Sequence, residues 1–290
     1  MLVSARSISF RAAAILRPGV TGRVLASFQR VCDLVTDDGE VVALVWSGIG
    51  NGPLNVVFDG RPGAALRVGA RFFMGERLLT VGAVTFDLAH AELWDARPDW
   101  DALRVRRVHI LAAAHAARNS SSGLQNGSLL KRAGPAVEAA VAAFQGAWQQ
   151  GMRDELVAAA RSLCGLGPGL TPAGDDWLAG WLLAKHLSED LRGLGLAAGR
   201  YDLAGLIADI TAGRTTALSR AFLACAAVGE ADEMWHALLS ALAEESMTSP
   251  SVSQSTDAVL AHGDTSGAAM LAGFFAGMAT PDPCPSTPAA

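Results

Sequence analysis

A glycine-rich loop near the middle of the chain has the residue types that an anion-binding site needs. Residues 165–176 read Gly-Leu-Gly-Pro-Gly-Leu-Thr-Pro-Ala-Gly-Asp-Asp. Glycine permits positive φ angles and a close approach of the backbone to a ligand. A helix that begins behind such a loop presents unpaired N–H groups and a positive dipole end. We therefore predict that Gly165, Gly167, Gly169 and Thr171 bind a phosphate or a carboxylate group.

The loop leads into a predicted helix with two acids in its first turn. Thr171 is a good N-cap, and the proline after it suits the first helical position. Asp175 and Asp176 follow, and the helix then continues as a segment that is apolar on nearly all sides, which is typical of a buried helix. The two acids are therefore expected to line a pocket, where they could bind an amine, an amide or Mg²⁺. The alternative is that they only complement the helix dipole.

A second segment, residues 213–220, has the same pattern of glycine and hydroxyl residues before another predicted helix. Thr215, Thr216 and Ser219 are candidate substrate ligands through their hydroxyl groups. Arg214 is a candidate catalytic residue, because a guanidinium can bind an oxyanion through two hydrogen bonds. An ordinary threonine cap beside solvated arginines would explain the same residues.

A third segment, residues 262–267, reads His-Gly-Asp-Thr-Ser-Gly and precedes a further apolar helix. His262 is a candidate acid–base group or ligand, although a lone histidine is more often structural. Thr265 and Ser266 are candidate helix caps or substrate ligands. If the fold brings the three helix starts together, they form a polar basin at converging positive helix ends, which would suit a small dianion.

One candidate lies in the N-terminal third, in the segment Gly-Asn-Gly-Pro-Leu-Asn at residues 50–55. Asn51 and Asn55 flank a tight turn and could reach a ligand from there. A plain turn is the simpler interpretation, because asparagine tolerates the left-handed conformation that turns require.

The sequence pattern changes near residue 97. Before it, short alternating segments separated by glycine and proline predict strands, and Asp38-Gly39 predicts a hairpin. The predicted strands are Ser7–Phe10, Gly22–Phe28, Val31–Val35, Val41–Trp46, Leu54–Phe58, Ala65–Val68, Arg71–Met74 and Leu78–Val81. We predict a small barrel or sandwich over this region.

After residue 97, alanine- and leucine-rich periodic segments predict helices, with a loop at Asn119–Gly127. The predicted helices are Trp100–Ala117, Pro135–Gln149, Asp154–Leu163, Pro172–Leu187, Leu203–Thr211, Thr216–Val228, Asp232–Glu244 and Ser266–Met278. The chain is thus expected to be an α+β protein with a β-rich domain at 1–97, a mainly α-helical domain at 98–279 and a disordered tail at 280–290.

The composition excludes several classes of protein. The chain has 290 residues, of which 51% are hydrophobic and 18% charged, with a net charge of −5. So apolar a chain is not disordered in bulk, and its mild negative charge gives no basis for binding nucleic acid. No apolar run reaches the roughly 18 residues of a membrane span. The four cysteines are widely spaced, without a metal-site or disulfide pattern, which is typical of a cytoplasmic protein.

The central loop, residues 165–176, resembles the signature of the bacterial AllH-type family, one member of which is a subunit of oxamate carbamoyltransferase. Supporting similarities lie at Asn51–Asn55, at Thr215 and Thr216 with Ser219, and at Thr265–Gly267, and the likeness extends from about residue 20 to residue 278. One departure is at 264–265, where Asp-Thr stands in place of the family's histidine or serine followed by serine.

The resemblance implies a part in fermentative allantoin breakdown. There the assembly converts oxalurate and phosphate to oxamate and carbamoyl phosphate, and two unrelated partner subunits take part. The loop N–H groups would then hold phosphate or carboxylate, Arg214 would offset negative charge, and Asp175 or Asp176 would orient the amide nitrogen or an Mg²⁺ ion. The family is wider than this pathway, so the resemblance also allows another small carboxylate-bearing amide as substrate.

Two other functions are compatible with the same residues. One is an Mg²⁺-dependent phosphotransferase or hydrolase that uses Asp175 and Asp176. The other is a non-catalytic subunit whose pocket binds a small anionic regulator or shapes the active site of a partner.

Overall fold

The computed structural model describes residues 2–46, 48–60, 66–120, 129–187, 203–244 and 250–279. The chain divides into two compact units, residues 1–98 with 230–233 and residues 99–229 with 234–290. The first unit is built from strands and the second from helices, which confirms the predicted α+β class. The predicted tail at 280–290 lies outside the described residues.

The described strands of the first unit form a barrel. They are β1 (Leu2–Ser9), β2 (Thr21–Ser27), β3 (Val31–Thr36), β4 (Val41–Val45), β5 (Asn55–Phe58), β6 (Arg71–Met74), β7 (Leu78–Val81), β8 (Val84–Asp87) and β9 (Glu92–Trp94). The order β5-β4-β3-β2-β6-β7-β8-β1 closes on itself because β1 also pairs with β5. Strand β9 lies outside this ring, parallel to the last residues of β1.

Alternation of residue type explains how the barrel fills its interior. Leu34, Leu44, Val56, Leu79 and Phe86 come from different strands, and all are buried in one core. The hairpin predicted from Asp38-Gly39 is confirmed, since β3 and β4 pair antiparallel around it and Gly39 has φ of 85°.

Some details of the barrel differ from the sequence prediction. Residues 66–68 are not a strand, and Ala65 lies outside the described residues. Strands β8 and β9 were not predicted. Phe10 does not extend β1 but begins a short helix, α1 (Phe10–Ile15), because the Ser9 hydroxyl caps it by accepting the Ala12 N–H at 2.9 Å.

The second unit contains α2 (Trp100–Val105), α3 (Arg107–Ser120), α4 (Pro135–Gln149), α5 (Arg153–Leu163), α6 (Ala173–His186), α7 (Leu203–Thr211), α8 (Ala217–Ala227), α9 (Glu233–Ala243), α10 (Pro250–Leu260) and α11 (Ser266–Ala279). The helix predicted from residue 100 is interrupted at Arg106. The Arg106 N–H bonds to the carbonyl of Leu103, three residues earlier, and not to the residue four positions earlier as in an α-helix. Helix α3 continues through Ser120, so Asn119 and Ser120 are helical and not part of the predicted loop, whose other residues, 121–127, lie outside the described residues. Helix α10 was not predicted.

Helices α6 and α11 form the centre of this unit. All residues of α6 from Ala173 to Lys185 are buried, as its apolar sequence predicted. A Cβ atom added at Gly180 would overlap the Met270 carbonyl, and one at Gly273 would overlap the Trp177 carbonyl. The two helices therefore touch through their backbones. They run parallel, which places their N-termini at the same end.

Within the described residues, no helix combines the length and the apolar character that crossing a membrane requires.

Candidate functional site

The three helix starts singled out in the sequence lie together in the helical unit. The Thr171 and Ser266 hydroxyls are 2.9 Å apart and join the start of α6 to that of α11. The Thr216 hydroxyl donates to the Leu170 carbonyl at 2.5 Å, and the Thr215 hydroxyl donates to Asp175, so α8 joins them. We call residues 165–176, 213–219 and 262–267 the junction cluster.

The loop at 165–171 has the conformation that its glycines predicted. Gly165, Gly167 and Gly169 have φ of 75°, 120° and 96°, in the left-handed region that disfavours other residues. A Cβ atom at Gly165 would also overlap the Arg214 carbonyl, and one at Gly167 would lie 2.9 Å from the Ala173 nitrogen. These two glycines are therefore required by close packing as well as by backbone angle.

Several backbone N–H groups of the loop make no hydrogen bond to any described residue. They belong to Gly167, Gly169, Leu170 and Thr171. These residues are half-buried or exposed, so a ligand from solvent can reach the donors. A run of unpaired donors at three converging positive helix ends is a suitable environment for an oxyanion.

Asp175 holds the cluster together. Its Oδ1 accepts the Gly165 N–H at 3.0 Å, and its Oδ2 accepts the Thr215 hydroxyl. The side chain is buried. Burial raises the pKa of Asp175, and the hydrogen bonds from Thr215 and Gly165 counter part of that rise. Asp175 thus connects the loop to the start of α8.

Asp176 is also buried but is not held in the same way. Its Oδ2 has no hydrogen-bond partner among the described residues. Burial raises the pKa of Asp176 to about 8; Ser266 acts to lower it, and the charge of Asp175 acts to raise it. At neutral pH the Asp176 carboxyl is therefore mainly protonated.

Ser219 is the second buried residue whose polar atom lacks a partner. Its hydroxyl faces Asp175 closely enough to lower the pKa of that carboxyl, yet it makes no hydrogen bond of normal geometry within the described part of the chain. Buried polar atoms without partners are uncommon and usually mark a place for water, an ion or a ligand.

The capping residues differ in part from the sequence prediction. Thr171 does not cap α6, because that helix begins at Ala173 and its N-cap, Pro172, makes no side-chain bond. Thr216 does cap α8, since its hydroxyl accepts the Ser219 N–H at 3.0 Å. The Thr265 backbone carbonyl accepts the Ala269 N–H at the start of α11.

The two other candidate catalytic residues are less enclosed. Arg214 is exposed. Burial raises the pKa of the Cys164 thiol to about 12, and the positive charge of Arg214 acts to lower it. His262 is partly buried, and its carbonyl accepts the Gly267 N–H. Cys164 directly precedes the loop, but sequence analysis did not single it out, and only the fold shows that the charge of Asp175 acts on its thiol.

Asn51 and Asn55 lie in the first unit, where their polar groups are engaged locally. The Asn51 side chain accepts from the Ser7 hydroxyl at 2.6 Å and donates to Glu233 at 2.8 Å. The Asn55 side chain donates to the Gly50 carbonyl at 3.1 Å. These contacts fit the simpler interpretation of the two asparagines as turn residues.

A metal ion would need more ligands than the acid pair alone supplies. In the described ranges there is no group of three or more His, Cys, Asp and Glu side chains that could hold a metal ion. Both oxygens of Asp175 already accept hydrogen bonds, so only Asp176 has an oxygen without a partner.

Comparison with known proteins gives two family matches. Residues 4–93 match the model of the AllH family N-terminal domain, and residues 163–278 match the model described as oxamate carbamoyltransferase subunit AllH. No curated protein and no solved structure matches significantly. The first match covers most of the barrel, and the second spans the whole junction cluster. The chain therefore belongs to the AllH family of oxamate carbamoyltransferase subunits.

Proposed function

We propose that this chain is the subunit of a carbamoyltransferase complex that binds the small anionic substrates at its junction cluster. The substrates would be oxalurate and phosphate, which become oxamate and carbamoyl phosphate, in the nitrogen catabolism of purines through allantoin. The partners would be the other subunits of that complex, and its place of action the cytoplasm.

The run of unpaired N–H groups in the loop carries this proposal. Gly167, Gly169, Leu170 and Thr171 offer four donors beside the N-termini of three helices. Phosphate and carboxylate are the groups that such donors bind best. Both are present in the proposed reaction, so the observed arrangement fits its substrates.

The other residues of the cluster have separate roles in this proposal. The exposed Arg214 at the start of α8 would offset negative charge as the anions enter. Asp175 would fix the loop through its bonds to Gly165 and Thr215. Thr171, Ser219 and Ser266 would supply hydroxyl groups to the substrate.

Reconstitution of the complex tests the proposal. The purified chain is combined with its partner subunits, and phosphate-dependent cleavage of oxalurate is followed by the appearance of carbamoyl phosphate. We expect activity only in the complete assembly, and we expect Asp175→Asn to abolish most of it because the loop loses its anchor. Full activity of Asp175→Asn in the assembled complex would refute the site.

Calorimetry of the chain with phosphate, oxamate and Mg²⁺ separates the alternatives. Binding of phosphate or oxamate without Mg²⁺ supports the proposal. Tight Mg²⁺ binding that Asp175→Asn removes would instead support a metal-dependent phosphotransferase or hydrolase. The hydrogen-bonded state of Asp175 favours the first result.

A further inference from the structure

The junction cluster buries two adjacent carboxyl groups without a compensating cation. Within the described part of the chain, no lysine, arginine or histidine forms an ion pair with Asp175 or Asp176. Two negative charges this close would repel each other, and a buried charge is costly without a partner. One of the two acids is therefore expected to remain neutral.

The hydrogen bonds show which acid is neutral. Asp175 accepts from the Gly165 N–H and the Thr215 hydroxyl, and such donors stabilise a carboxylate. Asp176 has one oxygen without any partner, and the groups that face it are the Asp175 carboxyl and the Ser266 hydroxyl. Burial raises the pKa of Asp176 to about 8, in agreement with this assignment.

A neutral carboxyl group has one O–H donor, and that proton needs an acceptor. Among the described residues there is none for Oδ2 of Asp176. The residue is only 8% exposed and Oδ2 itself is buried, so bulk water does not supply an acceptor at this oxygen either. The Ser266 hydroxyl, which faces Asp176, is also 2.9 Å from the Thr171 hydroxyl, so Asp176 and the end of the loop share a neighbour at the same helix start.

We propose that Asp176 is the acid that protonates the leaving nitrogen of the carbamoyl donor, whereas Asp175 only positions the loop. This inference rests on the proposed function. A phosphate oxygen forms a bond to the carbamoyl carbon of oxalurate, and the bond from that carbon to the ureido nitrogen breaks. The nitrogen takes the proton of Asp176 and leaves as the amide of oxamate. The proton that the hydrogen phosphate gives up returns to Asp176, so atoms and charge balance.

Contact between the substrate and this proton requires a local opening of the junction cluster. Oδ2 of Asp176 is closed off from solvent, and the loop residues Pro168 and Gly169 are exposed. A Cβ atom at Gly169 would meet no other atom within 4 Å, so there is open space beside the loop at this point.

A pH profile of the reconstituted complex tests the role of Asp176. We expect the wild-type kcat to fall as the pH rises through about 8, because the acid loses its proton. Asp176→Asn is expected to lower kcat at neutral pH about 100-fold, to change KM little, and to remove the alkaline fall. Asp257→Asn is the control at an exposed acid of α10 that lies outside the junction cluster, and it should keep the wild-type profile.

Unchanged kcat in Asp176→Asn, or an alkaline fall that persists in this variant, would overturn the assignment. If instead the wild-type complex shows no phosphate-dependent cleavage of oxalurate, the proposed function fails before any variant is compared.

Carbon NMR of the unmodified full chain gives a test that needs neither activity nor a stable variant. The carboxyl carbons of aspartate are labelled, and the Asp176 signal is followed during a pH titration. We expect it to titrate near 8 and to shift when oxamate is added at neutral pH. Titration near the ordinary value of 3.8, or no response to oxamate, would refute the acid role even if the complex transfers carbamoyl groups.

Discussion

The turn at 50–55 in the barrel unit and the loop at 165–171 in the helical unit have similar sequences, but their polar groups have different surroundings. Both contain glycine, one proline and at least one polar side chain. In the turn, Asn51 donates and accepts through its side chain and through its backbone, to Ser7 and Glu233. Backbone N–H groups without a described partner occur in both regions, at Gly50, Gly52 and Leu54 in the turn and at four residues of the loop. The difference lies in the side chains, because beside the loop Oδ2 of Asp176 and the Ser219 hydroxyl are buried without a described partner.

This difference separates a structural turn from a site. Side chains with hydrogen-bond partners stabilise a local conformation, whereas buried side-chain groups without partners cost free energy unless a ligand completes them. The loop keeps its open donors because backbone packing at Gly165 and the Asp175 bonds fix its shape. The predictions below test whether the two regions differ in this way.

The largest effect on stability is expected from a substitution between the packed helices α6 and α11. Gly273→Ala adds a Cβ atom that overlaps the Trp177 carbonyl, so α6 and α11 must separate. We expect a loss of about 3 kcal/mol from overpacking, reduced by up to ~1 kcal/mol through better helix propensity. Urea unfolding measures it. Gly146→Ala in α4 is the matched control, since its Cβ meets nothing within 4 Å, and it should not destabilise the chain.

The next largest effect concerns the loop itself. Gly165→Ala places a Cβ atom on the Arg214 carbonyl and should break the hydrogen bonds of Asp175. We expect carbamoyl transfer by the complex to fall about 100-fold, as for loss of an oxyanion-binding group.

Gly19→Ala is the control for that variant, because Gly19 in the barrel unit has φ of 90° with nothing within 4 Å of its Cβ position. It carries the same kind of backbone strain without the overlap. Equal loss of activity in both variants would show that strain alone, and not the loop contact, is responsible.

A smaller effect is expected in the pH dependence of stability. Each unit has a buried acid: burial raises the pKa of Asp33 from 3.8 to about 6 and that of Asp176 from 3.8 to about 8. Between these values the folded chain holds a proton that the unfolded chain releases. The free energy of unfolding therefore falls as pH rises, by up to about 1.4 kcal/mol per pH unit for each group.

The two acids can be separated by pH. Asp176→Asn should reduce the slope between about pH 6 and pH 8, whereas Asp33→Asn should reduce it only below about pH 6. Denaturant unfolding at a series of pH values measures both. A wild-type slope in Asp176→Asn would mean that this carboxyl is ionised in the fold.

The smallest effect is expected in the barrel turn. Glu233→Ala removes the acceptor of two Asn51 donors, at 2.7 and 2.8 Å, but this pair is exposed. We expect a loss of about 0.5–1.5 kcal/mol in unfolding free energy and no change in the affinity for oxamate. Weaker oxamate binding in this variant, compared with a Glu244→Ala control, would place the turn in the site.

Much of the helical unit could be predicted because its long helices have clear periodicity. Pro135–Gln149 and Leu203–Thr211 have the predicted bounds. Helix α10 was missed because its segment is rich in serine and threonine, which have low helix propensity. Strand β8 was missed because four residues after a two-residue turn are too few to show alternation.

The candidate site could be predicted residue by residue but not as an arrangement. The loop, the acids and the hydroxyls are local features of sequence. Asp175 is fixed by hydrogen bonds and Asp176 is not, and this difference arises from residues far apart in the sequence. Thr215 bonds to Asp175, and Ser266 lies beside Asp176, at separations of about 40 to 90 residues. The glycines of α6 and α11 are helix breakers by propensity, and only packing explains them.

The four residues at 230–233 have a consequence for synthesis of the protein. They belong to the barrel unit, where Ala231 bonds to Ala96, Glu230 pairs with Arg11 at 2.6 Å and Glu233 bonds to Asn51. A ribosome completes strands β1 to β9 long before it reaches them. While the rest of the chain is being synthesised, Arg11 and Asn51 of the barrel therefore still lack these partners. The barrel reaches its final stability only after helix α8 and residues 230–233 have been made. A fragment that stops at residue 98 should consequently melt at a lower temperature than the same barrel in the whole chain.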